Sequence, residues 1–490
     1  MNYRMIAGYC ARIAAFAGLL ATSGCSGGVD NEQLRVDVVS AQQDSFSVNR
    51  LPLPKASAYL RAATARGLVT FDSEGRVVPA LASRWMVTDD GLTYAFRLNK
   101  ARWNDMREVE TDEVVAALNR RIPQLRGKIF GGALDNIITA ERMTGRVMQI
   151  RLRAPMPSLL EYLASPEFGV IHDSNGSGPM IARSQDAHQI LSWRTADGSD
   201  NMLLSDQRIL LHKNTAVDGL ARLKTEQTDM VTGGSYTTLP YLAVADLPGD
   251  RIDAGNRLGL FGLIFVRAGP FLSEPQNREA IAMALDRPRM LTAFDNVAWR
   301  ERLTIVPDDL EDRGKVAPPD WVQLPIAERR SISQRRISLW KSEQGDIKPL
   351  RIAMPKGPGS RMLFAWLQAD FAAVGLRVER VDLGASAELR LIDRLADASS
   401  AEWYLGQLSC GYAPICDTEA DALLIAARRA QTAGERQRLL GEAEAAYQQL
   451  RNFIPLGNPL RWTAFRTGLD GYAPNSRGWH YLQTLGSGPT

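Results

Sequence analysis

Residues 67–118 constrain the fold of this chain more than any other stretch, because strand and turn signals alternate through them with little slack. Leu68, Val69 and Phe71 form a short apolar run that stops at Asp72-Ser73-Glu74-Gly75, a polar turn with Gly at its end. Val77 and Val78 restart the chain, and Pro79 opens a short connection through Ala80 and Leu81. Trp85 to Val87 predicts a second strand, closed by Thr88-Asp89-Asp90-Gly91. The Asp-Gly pair favours a tight hairpin, since Gly accepts positive φ and Asp tolerates it. Tyr94, Phe96 and Leu98 then alternate with Ala95, Arg97 and Asn99, the period-two pattern of a half-buried strand. Thr111 is placed to cap a helix, with Asp112 and Glu113 putting negative charge in its first turn. Val114, Val115 and Leu118 supply its buried stripe. This order belongs to a mixed α/β lobe.

The same residues carry a resemblance. Gly67-Leu68-Val69, Asp72, Pro79, Leu81-Ala82, Trp85, Val87, Asp89-Asp90-Gly91-Leu92-Thr93-Tyr94, Phe96, Leu98, Trp103, Asp105, Thr111, Asp112 and Val114 fall in a fixed order. That order resembles the signature region of the family 5 bacterial extracellular solute-binding proteins, which include the dipeptide-, oligopeptide- and nickel-binding receptors of ABC importers. Met106 stands where the family usually has Gly. The resemblance implies an α/β, two-lobed periplasmic-binding-protein-like fold of the large cluster C type. Such a fold has mixed sheets with flanking helices and an extra subdomain in the first lobe.

The N-terminus reads as a targeting segment. Arg4 and Arg12 give a weakly basic leader, and Ile13 to Ala21 form an apolar core too short to span a bilayer but suited to secretion. Thr22-Ser23-Gly24-Cys25 resembles a bacterial lipoprotein cleavage box, which would make Cys25 the lipidated N-terminus; simple secretion is the alternative. Residues 1–24 are thus a signal peptide and 25–33 a polar tether. The net charge of +3 is close to balanced, so it points neither to nucleic acid nor to an acidic membrane surface. Cys410 and Cys416 are the two cysteines left in the body. In an exported protein they predict a local disulfide, worth about 2 kcal/mol on the chain-entropy account. A zinc site is the alternative, though no His stands near either Cys.

Strand-rich texture continues to Arg257: Val147 to Leu152 alternates, Ser158 precedes an apolar helix through Leu163, and Ile209 to Asn214 predicts a further strand. A second lobe is expected from Leu258, where the apolar run through Val266 suits a strand buried on both faces. Arg267 follows it, with Val266 where the family carries Asn. Arg329, Arg330, Arg335 and Arg336 are expected on the solvated face of a helix whose other side is Ile332, Ile337 and Leu339. Leu350 to Ala353, a helix from Met362 to Val374 ended by Gly375, and Leu376 to Val381 make a β-α-β unit and a partly parallel sheet.

Residues 403–410 are expected as a strand opening into a cleft, where open α/β sheets bind ligands. In peptide-binding relatives such a strand leads into W-x-A-D, whose Asp pairs with the ligand's α-amino group. Anchored on Cys410, that position falls on Tyr412. A buried ammonium without a carboxylate is costly, so ordinary peptide binding is not implied.

Catalytic patterns do not stand out. The four His are scattered, with no H-E-x-x-H, no G-x-S-x-G and no phosphate-binding glycine loop. The expectation is therefore a non-enzymatic, periplasmic solute-binding lipoprotein without cofactor. Its lobe I would be 34–257 plus 456–490 and its lobe II 258–455. The resemblance implies a monomer that takes a peptide-like or other small solute and serves an ABC permease and ATPase; nucleic acid is not a partner. Arg267, Ser409, Tyr412 and Asp417 are the candidate cleft residues. A sensor or chaperone on the same fold, and a hydrolytic lipoprotein with a carboxylate pair in the cleft, are the competing readings.

Overall fold

A computed structural model of the chain describes residues 33–40, 46–47, 50–127, 130–173, 175–196, 202–294 and 299–486. Cys25, the signal peptide and nearly all of the expected tether lie outside the described residues. Gln33, its last residue, already opens the strand Gln33–Val39.

Two mixed sheets dominate. The first runs Met180–Gln185, His188–Ala196, Met202–Asn214, Gln33–Val39, Met230–Ser235, Leu460–Phe465, Ile252–Asn256 in spatial order. The second runs Val378–Asp382, Leu350–Met354, Leu389–Leu395, Gly259–Phe265, Phe453–Gly457. Gly259–Phe265 is buried at every position, as a strand covered on both faces must be. Leu350–Met354 is parallel to both of its neighbours, the product of the β-α-β unit that crosses through the helix Pro358–Ala372. Gly375 ends that unit's helical region at φ +82°, a conformation a side chain would resist.

A separate four-stranded antiparallel sheet, Ala82–Val87, Thr93–Leu98, Val147–Leu152, Ile137–Arg142, holds the middle of the 67–118 signature, and Val69–Phe71 pairs with Val77–Pro79 ahead of it. Tyr94, Phe96 and Leu98 are buried and Arg97 is exposed, so the alternation turns one face inward. Gly91 has φ +67° at the hairpin that the Asp-Gly pair marks. The following helix, Thr111–Leu125, begins one residue earlier than the Thr111 cap implies. Glu110 is the N-cap, and its side chain and that of Glu113 bond each other's backbone N–H reciprocally.

Two further expectations are corrected. The helix Ile326–Gln344 buries Ser333, Ile337 and Trp340, while Leu339 is 50% exposed. Its arginines are not simply solvated: Arg330 reaches Asp370 at 2.6 Å, Arg336 donates to Asn277 Oδ1 at 2.6 Å, and Arg329 lies over the Trp321 ring. The strand expected at 403–410 is instead a buried helix, Ala401–Gly406, followed by turns. Ser400 caps it by accepting from Glu402 N–H, and Glu402 is held by Arg428 and Arg436 from the next two helices. Those contacts, invisible in the local sequence, select helix over strand for a short apolar run.

Candidate functional site

The chain passes from the first sheet to the second between Asn256 and Gly259, and returns between Gly457 and Leu460. The two passages lie side by side: Arg257 N–H donates to Pro459 O at 2.8 Å, and Trp299 Nε1 donates to Asn458 O at 2.8 Å. Beyond them the segments that follow Met230–Ser235 and Leu350–Met354 meet, with Gly357 and Gly359 against Thr237 and Tyr236. The turn after Ser235 docks on the N-terminus of Pro358–Ala372, with Gly359 N–H donating to Thr237 O at 2.9 Å. Tyr236 Oη and Ser360 Oγ are 3.0 Å apart and buried. Gly359 is required here, because a Cβ would lie 1.8 Å from Tyr236 O. Burial pushes the Tyr236 phenol pKa well up, so it stays protonated and able to donate.

Charged groups at this junction are matched within the chain. Arg461, on a strand of the first sheet, pairs with Asp393 of the second at 2.7 Å. Glu161 accepts from Ser399 N–H at 2.8 Å and pairs with Arg477. Asp397, just past the end of Leu389–Leu395, accepts from Trp403 Nε1 at 2.9 Å and from Arg394 Nη2 at 3.2 Å. Arg394 also lies over the Trp403 ring and donates to Gln407 Oε1 at 2.7 Å. Burial raises the pKa values of Tyr162 and Glu167; the charge of Asp397 adds to both, after that of Glu402 at Tyr162. Tyr162 Oη is buried with no hydrogen-bond partner among the described residues.

The four cleft candidates do not converge. Arg267 is exposed just past Gly259–Phe265, where its charge helps to lower the pKa of Glu388. Ser409 donates to Gly406 O at 2.8 Å, closing a turn after the short helix. Asp417 caps Thr418–Arg429, accepting from Glu419 and Ala420 N–H. Tyr412 is half-buried, and desolvation raises its pKa. Cys410 and Cys416 form a disulfide that closes the loop carrying Tyr412. Because 401–406 is helical, Cys410 is the wrong anchor for the x-x-A-D register. The strand that leads into an Ala-Asp pair is Leu389–Leu395, followed by Ala396 and Asp397. Asp397 is thereby a further candidate, and the Ala-Asp dipeptide is the sequence signal for it.

Residues 76–406 match the family of bacterial extracellular solute-binding proteins, family 5, over its middle region. The chain belongs to this family. Its members bind solutes and are not enzymes. The peptide transport periplasmic protein SapA of Salmonella typhimurium is 23% identical over 462 residues, covering 81% of each chain. The di/tripeptide-binding protein 2 of Pseudomonas aeruginosa is 24% identical over 472 residues, covering 81% of this chain and 84% of that one. Among solved structures, Haemophilus influenzae OppA in complex with RPPGFSPFR superposes with a TM-score of 0.78 at 15% identity, covering 93% of this chain and 99% of that one. The murein tripeptide binding protein MppA of Escherichia coli gives a TM-score of 0.78 at 16% identity, covering 93% and 98%. These likenesses establish the fold, the α/β architecture of the cluster C periplasmic binding proteins.

Proposed function

We propose that the chain is the periplasmic substrate-binding lipoprotein of an ABC importer. It holds a small solute between two hinged lobes, 33–257 with 458–490 and 258–457, and hands it to a membrane permease with its ATPase. The return boundary moves from 455 to 457 so that the strand Phe453–Gly457 stays whole. The supporting observation is the paired passage between the two sheets, with the segments after Ser235 and Met354 in contact beyond it. Two adjacent connections leave one soft rotation axis, and solute that contacts both halves favours the closed arrangement. The protein works as a monomer tethered through Cys25.

Relatives named for peptide transport make peptides the first class to test. Asp397 would be the carboxylate for an α-ammonium, but Arg394 pairs with it at 3.2 Å. A free ammonium would have to displace a guanidinium that is also fixed by Gln407 and Trp403. The solute is therefore peptide-like without a free α-amino group, or another molecule that carries no ammonium. A thermal-shift panel of unmodified dipeptides and their N-acetyl forms tests this. The wild type should ignore unmodified dipeptides, while Arg394→Gln should gain a shift with them that Arg394→Gln combined with Asp397→Asn loses. Clear stabilisation of the wild type by an unmodified dipeptide would contradict the reading.

A further inference from the structure

A cavity of about 810 Å³ lies within the second-sheet half, away from the junction of the sheets. Its walls come from the helices Pro275–Ala284 and Ala433–Leu450 and the strand Phe453–Gly457, and residues 315–321 cover it. The volume falls in the range of small-molecule sites. Its interior is mostly apolar, with Met283, Leu303, Ile305 and Phe453 facing it.

One lining group does not fit an apolar void. Arg287 is 1% exposed and donates to two carbonyl oxygens only, Pro455 at 2.8 Å and Ala282 at 3.5 Å. Among the described residues no carboxylate lies within ion-pair distance of it. Of the two acids of the lining, Glu279 is taken by Arg451 at 2.7 Å and Asp320 is exposed, while the charges of Glu301 and Asp370 act on Arg287 without forming an ion pair with it. Burial lowers the pKa of Arg287 only to about 10, so it is charged at neutral pH. The half-buried Trp321 ring lies against Arg287 on one hand and Arg329 on the other, with centroids 5.9 and 5.8 Å away. The Gln448 side-chain nitrogen, also in the lining, is buried without an acceptor. An unpaired buried cation is destabilising, and an anion entering the cavity would relieve it.

We propose that this cavity is a second binding site, for a monocarboxylate with an apolar body. The carboxylate meets Arg287 and Gln448, and the body lies along Met283, Leu303, Ile305 and the Trp321 ring. A cationic ligand is excluded by the same guanidinium, and a strongly polar one by the apolar walls.

Octanoate is the probe and octanol its uncharged counterpart, each titrated calorimetrically into the full-length protein. Octanoate should bind once per chain and octanol about tenfold more weakly or worse, the weight of a hydrogen bond to a charged group. Leu303→Trp, which adds bulk to a half-buried position of the lining and keeps the Arg287 side chain, should abolish octanoate binding while leaving the thermal midpoint of the free protein close to wild type. Arg287→Met should remove the preference for octanoate over octanol, and Leu303→Trp keeps the test open if that variant folds poorly. Equal binding of the two probes, no binding of either, or octanoate binding that survives Leu303→Trp would overturn the proposal.

Discussion

Glu402 tests most sharply why residues 401–406 fold as a helix. Its side chain is 4% exposed; one oxygen accepts from Arg428 Nε at 2.9 Å and the other from Arg436. Burial by itself would raise its pKa, but the two guanidinium charges outweigh burial and pull the carboxyl from 4.5 to about 2. At about 1.4 kcal/mol per pH unit, that drop corresponds to about 3 kcal/mol of folding stability. Because the folded pKa is the lower one, this contribution is whole above pH 4.5 and is lost as pH falls toward 2. Glu402→Gln keeps the shape but leaves Arg428 and Arg436 without their shared counter-charge, an effect of about 3–5 kcal/mol for a broken buried pair. Urea unfolding followed by tryptophan fluorescence at neutral pH should show that loss as a lower midpoint at similar slope. The gap between variant and wild type should narrow on acidification below pH 4.5. A loss under about 1 kcal/mol, or a gap that widens with acid, would refute the assignment of this triad as the helix's anchor.

Burial, reinforced by Arg257 against the opposing charge of Asp253, lowers the His480 pKa from 6.5 to about 4. The folded state keeps this imidazole neutral, so stability is whole above pH 6.5 and declines toward pH 4 by up to about 3 kcal/mol. His480→Gln should flatten that decline in urea titrations, and an unchanged slope would contradict it. Met106 holds φ +72° where the family usually has Gly. Left-handed backbone costs a residue with a side chain roughly 1–2 kcal/mol, so Met106→Gly should stabilise by up to about 1 kcal/mol after glycine's entropy is subtracted. A lower thermal midpoint for Met106→Gly would count against strain at this turn.

Legibility in the sequence followed the range of the forces involved. Gly75 and Gly91 have positive φ at the two turns expected of them, because turn chemistry is local. Gly259–Phe265 was legible because complete burial demands an unbroken apolar run. Trp403-Tyr404-Leu405 has the same composition, yet its helix depends on Ser400 and on arginines well removed in sequence. Periodicity cannot separate a short buried helix from a short buried strand. With 401–406 helical, the Ala-Asp pair that follows Leu389–Leu395 makes Asp397 a candidate beside Tyr412. The neutralisation of Asp397 by Arg394, and of Asp393 by Arg461, is tertiary and was not readable from spacing.

The central claim is capture of one small guest between two hinged bodies without chemical change. Native mass spectrometry of the full-length protein isolated from periplasm measures it most directly. The account predicts a non-covalent small-molecule adduct that survives Leu303→Trp, and so does not sit in the second cavity, and that is released intact and unmodified when the protein is denatured. A bare protein mass that persists after exposure to a periplasmic small-molecule extract, or an extract compound recovered in altered form, would contradict it.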